Sequence, residues 1–233
     1  MTLYIIRHGE TVFNRQNIVQ GSGIDSDLNA VGRKQAQLFY NYYQNISFDV
    51  FMTSALKRTH QTIDPFLKRQ QTLVENSATV FNKNPHSLPT YDDNLNTEKQ
   101  LPWLQLQELN EVSWGIHEGK EMGAEGQQNF LKLMQNWNNG NYDTCIENGE
   151  TAAQLRTRVS QVVDFTRDTY KGKNVLICTH GRTLLCMLTI LKNLPLSNMS
   201  HFRHQNTCLY KVHLIDDEFI FELENDTKHL QNL

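Results

Sequence analysis

Short apolar runs alternate with longer stretches of helical period along this chain. Residues 2–6 are an apolar run that halts abruptly at Arg7-His8-Gly9, as a short buried strand would. Residues 29–44 read as a helix, with Asn29 as its cap and Leu38 and Tyr42 four apart on one face. Residues 49–53 read as a second strand. Residues 56–69 read as a helix that Pro65 ends or kinks. Helical period returns at 123–137 and at 151–170, where Leu155, Val159, Val162, Val163 and Phe165 supply the apolar face. Residues 174–179 form a clear buried strand, and 181–191 the helix after it. Residues 207–214 and 218–224 pair as a closing hairpin over Asp216-Asp217. This alternation predicts an α/β fold, a three-layer sandwich with a mostly parallel sheet and an antiparallel edge.

The pattern lapses between about residues 71 and 107. That stretch is polar and carries Pro85, Pro89 and Pro102. It is too long for a simple connection. We read the chain as one domain over residues 1–233 with an insertion at about 71–105. The insertion would serve as a lid or as the contact surface of a homodimer.

Composition narrows the class of partner. The chain has 233 residues, 20% of them charged, and a formal net charge of −3. No basic excess calls for nucleic acid or an anionic membrane. No run approaches the ~20 apolar residues of a membrane helix, and residues 1–6 lack the basic start and long apolar centre of a secretory signal. Cys145, Cys178, Cys186 and Cys208 fall at no metal-like spacing, and Cys178 and Cys186 sit in apolar segments. A reducing cytoplasm is the expected location.

Three strand ends carry the candidate chemistry. The first strand runs into Arg7 and His8. The second runs into Ser54, with Arg58 at the start of the next helix. The third runs into His180-Gly181. Parallel sheets bind ligands at the carboxyl ends of their strands, so two histidines and two arginines can converge there. Guanidinium forks match phosphate oxygens. One neutral imidazole can attack phosphorus while the other donates to an equatorial oxygen. Glycine after each histidine would let the backbone approach the ligand, and the helix beginning near Gly181 adds its N-terminal N–H groups. Phosphoryl transfer needs mainly positioning and neutralised charge, which these residue types supply without a cofactor or a metal. His201 and His204 have the spacing of zinc ligands on a helix turn, but no third ligand accompanies them, so no metal site is expected. Trp103, Trp114 and Trp137 are read as packing residues.

The segment LYIIRHGETVFN, residues 3–14, resembles the signature of the histidine phosphatase superfamily, in its phosphoglycerate-mutase-like branch. Further segments agree in order. They are Gln20-Gly21 with Asp25, Leu28, Gly32, Gln35 and Ala36; the run from Ser54 through Arg58-Thr59 to Gln61-Thr62; Leu109-Asn110-Glu111 with Gly115 and Glu118-Gly119; Gly149-Glu150-Thr151; and Thr179-His180-Gly181. The resemblance implies roles. His8 would be the nucleophile. Arg7, Arg58 and His180 would hold the phosphoryl group, with Asn14 adding a donor. Glu111 would protonate the leaving oxygen and then activate water. Thr11, Gly21 and Gly181 lie where relatives contact substrate. Glu10 belongs to the motif and is assigned a structural role.

The expected activity is hydrolysis of a small phosphorylated metabolite. The alternative is a phosphomutase of the phosphoglycerate mutase type, whose members carry additional basic residues after the glutamate segment. Residues 119–126 read GKEMGAEG, without the expected paired arginines, and residues 110–115 depart from the mutase form, which has Arg and Tyr there. A catalytically silent member that binds a phosphorylated ligand is the other alternative. The presence of Arg7, His8, Arg58, Glu111 and His180 together weighs against it.

Overall fold

The computed structural model describes residues 1–75, 102–231 and 233. Its framework is a six-stranded sheet of β1 (Thr2–Arg7), β2 (Val50–Ser54), β3 (Trp103–Leu106), β4 (Asn174–Thr179), β5 (Leu209–Ile215) and β6 (Glu218–Asp226), in the order β3-β2-β4-β1-β5-β6. The first four strands are mutually parallel, and β5 and β6 add an antiparallel edge. The helices are α1 (Val12–Arg15), α2 (Ala30–Tyr43), α3 (Lys57–Glu75), α4 (Ala124–Asn138), α5 (Ala152–Thr169) and α6 (Gly181–Leu191).

Strand alternation explains the layers. Leu3, Ile5, Val50, Met52, Val175 and Ile177 point to one face, where they pack with residues of α4, α5 and α6. Tyr4, Ile6, Phe51, Leu176 and Cys178 point to the other, against Phe39 and Tyr43 of α2 and Ile63 and Phe66 of α3. Each fully buried side chain of this size contributes roughly 1.5–3 kcal/mol. Both faces of the parallel strands are covered, so their sequences read as continuous apolar runs rather than alternating ones.

The local signals act as read. Asn29 caps α2 by accepting from the Gly32 N–H at 2.8 Å. Thr151 and Gln154 form a reciprocal capping box at the start of α5. Asp216 and Asp217 both adopt positive φ, 48° and 63°, as a two-residue hairpin of matching twist requires.

Two readings near the insertion need correction. Pro65 does not end α3, which runs on to Glu75. Trp103–Leu106 is not part of an excursion but the edge strand β3, paired in register with β2 from Phe51↔Trp103 to Ser54↔Leu106. It has four residues behind a proline, and its partner lies about fifty residues earlier, so no local pattern marks it. The rest of the expected insertion, residues 76–101, lies outside the described residues. Among the described residues, no helix is long and apolar enough to cross a membrane.

Candidate active site

The parallel pairing of β1 with β4 sets Arg7 opposite Thr179, so the next residue of each strand, His8 and His180, emerges side by side. The His8 N–H donates to the Thr179 carbonyl at 3.0 Å. The two imidazoles lie 5.1 Å apart, centroid to centroid, tilted by 57°.

The tautomer of His8 follows from its partner. Nδ1 lies 2.7 Å from the Gly9 carbonyl, which can only accept, so Nδ1 carries the hydrogen and Nε2 keeps its lone pair. Burial, then the charges of Arg58 and Arg7, hold the His8 pKa well below the ordinary imidazole range. His8 is a neutral imidazole at pH 7.

Arg58, in the first turn of α3, is fully buried. Its Nε donates to His180 Nδ1 at 3.1 Å, its Nη1 to the Ile24 carbonyl at 2.6 Å and its Nη2 to the Gly21 carbonyl at 3.3 Å. Burial lowers its pKa to about 10, while the Glu111 carboxylate acts in the opposite direction. His180 Nδ1 is thereby an acceptor, so Nε2 carries the hydrogen and donates to Ser54 Oγ at 2.7 Å. The N–H expected to face a phosphate oxygen is turned to Ser54 at the end of β2. Burial, then Arg58, keeps His180 neutral too.

Arg7 sits between the two strands. Its Nη1 meets His204 Nδ1 at 3.1 Å. Its Nε is buried with no hydrogen-bond partner, a donor that an oxyanion would satisfy. Burial, then Arg7, lowers the His204 pKa to about 3. His204 therefore serves the site as a neutral partner of Arg7. His201 is exposed, and its Nδ1 lies 3.2 Å from Asn198 Nδ2. Among the described residues, no group of three or more His, Cys, Asp or Glu could hold a metal ion.

Glu111 closes the opposite wall and caps α6. Its Oε1 accepts from Val112 N at 3.0 Å, Thr183 N at 3.1 Å and Thr183 Oγ1 at 3.2 Å. Its Oε2 accepts from one donor, Arg182 N, at 3.1 Å. An anion at a helix N-terminus is favourably placed. Glu111 is also the carboxylate that faces Arg7, Arg58 and Arg182. Three guanidiniums around one carboxylate make the site positive in a chain of net charge −3.

The remaining expected residues build the walls. Thr11 caps α1 by accepting from Asn14 N at 3.0 Å, and it accepts from Gln20 Nε2 at 2.8 Å. Asn14 Oδ1 accepts from Thr11 N and from Asn206 Nδ2, which leaves its own amide N–H groups as donors. The Gly21 carbonyl holds Arg58. Glu10 accepts from Asn29 Nδ2 at 2.6 Å, the structural part expected of it. The glycines after the histidines make room for protein rather than ligand. A Cβ on Gly9 would stand 2.7 Å from the Gly32 carbonyl oxygen, and one on Gly181 2.9 Å from His204 Cε1.

The sequence reading missed Asn206, which donates to the His8 carbonyl at 2.9 Å, and the parts played by Ser54, His204 and Thr183. Ser54 stood in a motif that had been singled out, and His204 had been considered only as half of a zinc-like pair.

Comparison with known proteins gives the chain's relatives. The family model of the Histidine phosphatase superfamily (branch 1) matches residues 3–79 and 93–227, so the match lapses over a shorter stretch than the sequence reading expected. A Yersinia enterocolitica protein named "Probable phosphoglycerate mutase GpmB" is 27% identical, over 99% of this chain and 95% of that protein. The Adenosylcobalamin/alpha-ribazole phosphatase of Escherichia coli is 24% identical, over 89% of this chain and 87% of that one. Among solved structures, the alpha-ribazole phosphatase of Shigella flexneri superposes with a TM-score of 0.73 at 24% identity, covering 97% and 96% of the two chains. A phosphoserine phosphatase variant of Entamoeba histolytica, in complex with phosphoserine, gives 0.73 at 19% identity, covering 98% of each chain. The fold is thus that of these phosphatases, and the chain belongs to the histidine phosphatase superfamily, branch 1.

Proposed function

We propose that this protein is a phosphatase that hydrolyses a small phosphate monoester through a phosphohistidine on His8. The observation that carries this reading is the His8 Nδ1–Gly9 carbonyl bond at 2.7 Å. It fixes the ring, leaves the Nε2 lone pair for attack, and does so beside two buried guanidiniums.

Nε2 attacks phosphorus as the bond to the ester oxygen breaks. Arg7 and Arg58 neutralise the equatorial oxygens, with the buried Arg7 Nε supplying a donor that has no other partner. His180 acts chiefly by holding Arg58. The leaving oxygen takes a proton from Glu111. Of the two carboxyl oxygens, Oε2 has the spare lone pair, because Oε1 already receives three donors and Oε2 one. Water then gives its proton to Glu111 and attacks phosphorus, and Nε2 leaves with its lone pair restored.

Hydrolysis is preferred to mutase activity because no arginine occurs between Glu111 and Arg156 to grip a second anionic group after the glutamate segment. The test is incubation with an ester labelled in its phosphoryl group, acid or alkaline quench, and mapping of the label. Alkali-stable, acid-labile label on His8 with release of inorganic phosphate is expected. Transfer of the label to a second hydroxyl of the substrate would make it a mutase. Label retained nowhere, with no turnover, would leave a binding protein.

A further inference from the structure

Behind His204 lies a pocket of about 240 Å³ between α4, α6 and the 3₁₀ turn Leu196–His201. Its walls include Met134 and Trp137 of α4, Leu185 of α6 and Phe202, with Arg182 and His204 as its basic side chains. His204 borders both the pocket and the site: it lines the pocket, its Nδ1 meets Arg7, and its Cε1 would stand 2.9 Å from a Cβ on Gly181.

Arg182 is the unusual member. Its backbone N–H donates to Glu111, but its guanidinium makes no hydrogen bond or ion pair among the described residues. Arg158 shows the contrast, with a bidentate pair to Glu150 and two carbonyls. Arg182 is partly exposed and faces the Glu111 carboxylate, so its guanidinium N–H groups are free for the acceptors of a ligand in this pocket.

We propose that this pocket is the leaving-group subsite, and that Arg182 selects esters whose apolar, ring-sized body carries a carboxylate. The assignment rests on the phosphatase reading above. Size sets the body: a cavity of ~150 Å³ holds benzene, so this pocket of about 240 Å³ has room for a ring and one substituent. Charge sets the substituent. The guanidinium also faces Glu111, so it has room for a single negative charge more readily than for a second phosphate dianion. Trp137 and Phe202 offer the apolar walls such a body needs.

The experiment compares kcat/KM for 4-carboxyphenyl phosphate and phenyl phosphate in the wild type and in Arg182→Ala, Arg182→Gln and Arg182→Lys. The ratio of the two esters is expected to fall roughly 10- to 100-fold in Arg182→Ala and Arg182→Gln, the scale of a charge-assisted hydrogen bond. Arg182→Lys should regain part of it. The loss should appear mainly in KM. An equal loss on both esters would mean that Arg182 acts only through Glu111 and would overturn the proposal. So would an unchanged ratio, or a wild type that prefers 3-phosphoglycerate, which has the carboxylate without the apolar body. If the wild type hydrolyses neither aryl ester and retains no label on His8, the phosphatase reading itself has failed, and the subsite falls with it.

Discussion

The carboxylate of Glu111 accepts both the backbone N–H of Thr183, at 3.1 Å, and its hydroxyl, at 3.2 Å. The proposed proton donor is therefore welded to the first turn of the helix that follows the second histidine. Glu111→Gln keeps one acceptor oxygen but sets an NH₂ group against an N–H donor. We expect a loss of about 1–3 kcal/mol in stability from the unmet donor, measurable by urea unfolding. Esters with poor leaving groups should slow roughly 10²–10⁴-fold, the scale of general acid catalysis. An activated aryl ester should slow far less in its first step and show a burst of phosphoenzyme in rapid-quench experiments. Equal losses on both substrate types, without a burst, would remove Glu111 from the role. Glu118 and Glu150 could not easily replace it, since Glu118 holds Gly23 N and Trp114 N and Glu150 is paired with Arg158.

His8→Ala should abolish turnover and covalent labelling together. The fold should survive, because the strand pairing around His8 runs through backbone groups. Circular dichroism with the labelling assay is the check. Residual labelling at another residue would move the nucleophile elsewhere.

Ser54 should behave as a positioning residue. It receives the His180 Nε2–H at 2.7 Å, and His180 in turn receives Arg58. Ser54→Ala leaves a buried N–H unmet and frees the ring to turn. We expect kcat to fall roughly 10- to 100-fold with KM little changed, as for a small misplacement of a charge-stabilising group. Steady-state kinetics with one aryl ester decides this. An unchanged kcat would show that Ser54 has no hold on the arginine.

Acid should destabilise the fold through its buried neutral histidines. His229, packed between Phe39 and Tyr43, has its pKa lowered to about 4, first by burial. A histidine depressed in the fold leaves stability unaffected above the unfolded value of 6.5. Below it, the unfolded chain binds a proton that the fold refuses, so stability falls until the pH reaches the folded value. At about 1.36 kcal/mol per pH unit, the window from 6.5 to about 4 amounts to roughly 3 kcal/mol. Urea midpoints of the wild type and His229→Phe, taken between pH 7.5 and 4, should diverge in slope only below 6.5. Parallel curves would refute the assignment.

Much of this could be read from the sequence because it is local. A run such as Leu3-Tyr4-Ile5-Ile6 ending in Arg7-His8 marks a buried strand and the residues at its mouth. Asn29 and Thr151 mark helix starts through bonds that span three residues. The ordered motifs marked His8, Arg58, Glu111 and His180 as one set, and β1–β4 pairing brings the two histidines together. The edge strand Trp103–Leu106 escaped notice because a four-residue strand takes its definition from its neighbour, not from its own pattern.

What the sequence determined by itself is therefore the fold class and the family, since residue type and order along each strand are local properties. The tertiary structure alone decided how those side chains are bound to one another. It turned the His180 N–H to Ser54, set His204 against Arg7, tied Glu111 to the head of α6 and left the Arg182 guanidinium facing a pocket. Each of these relationships joins residues tens to nearly two hundred positions apart, or depends on which face of a helix meets a cavity. Hydrogen-bond partners at that range are chosen by packing, which no window along the chain contains.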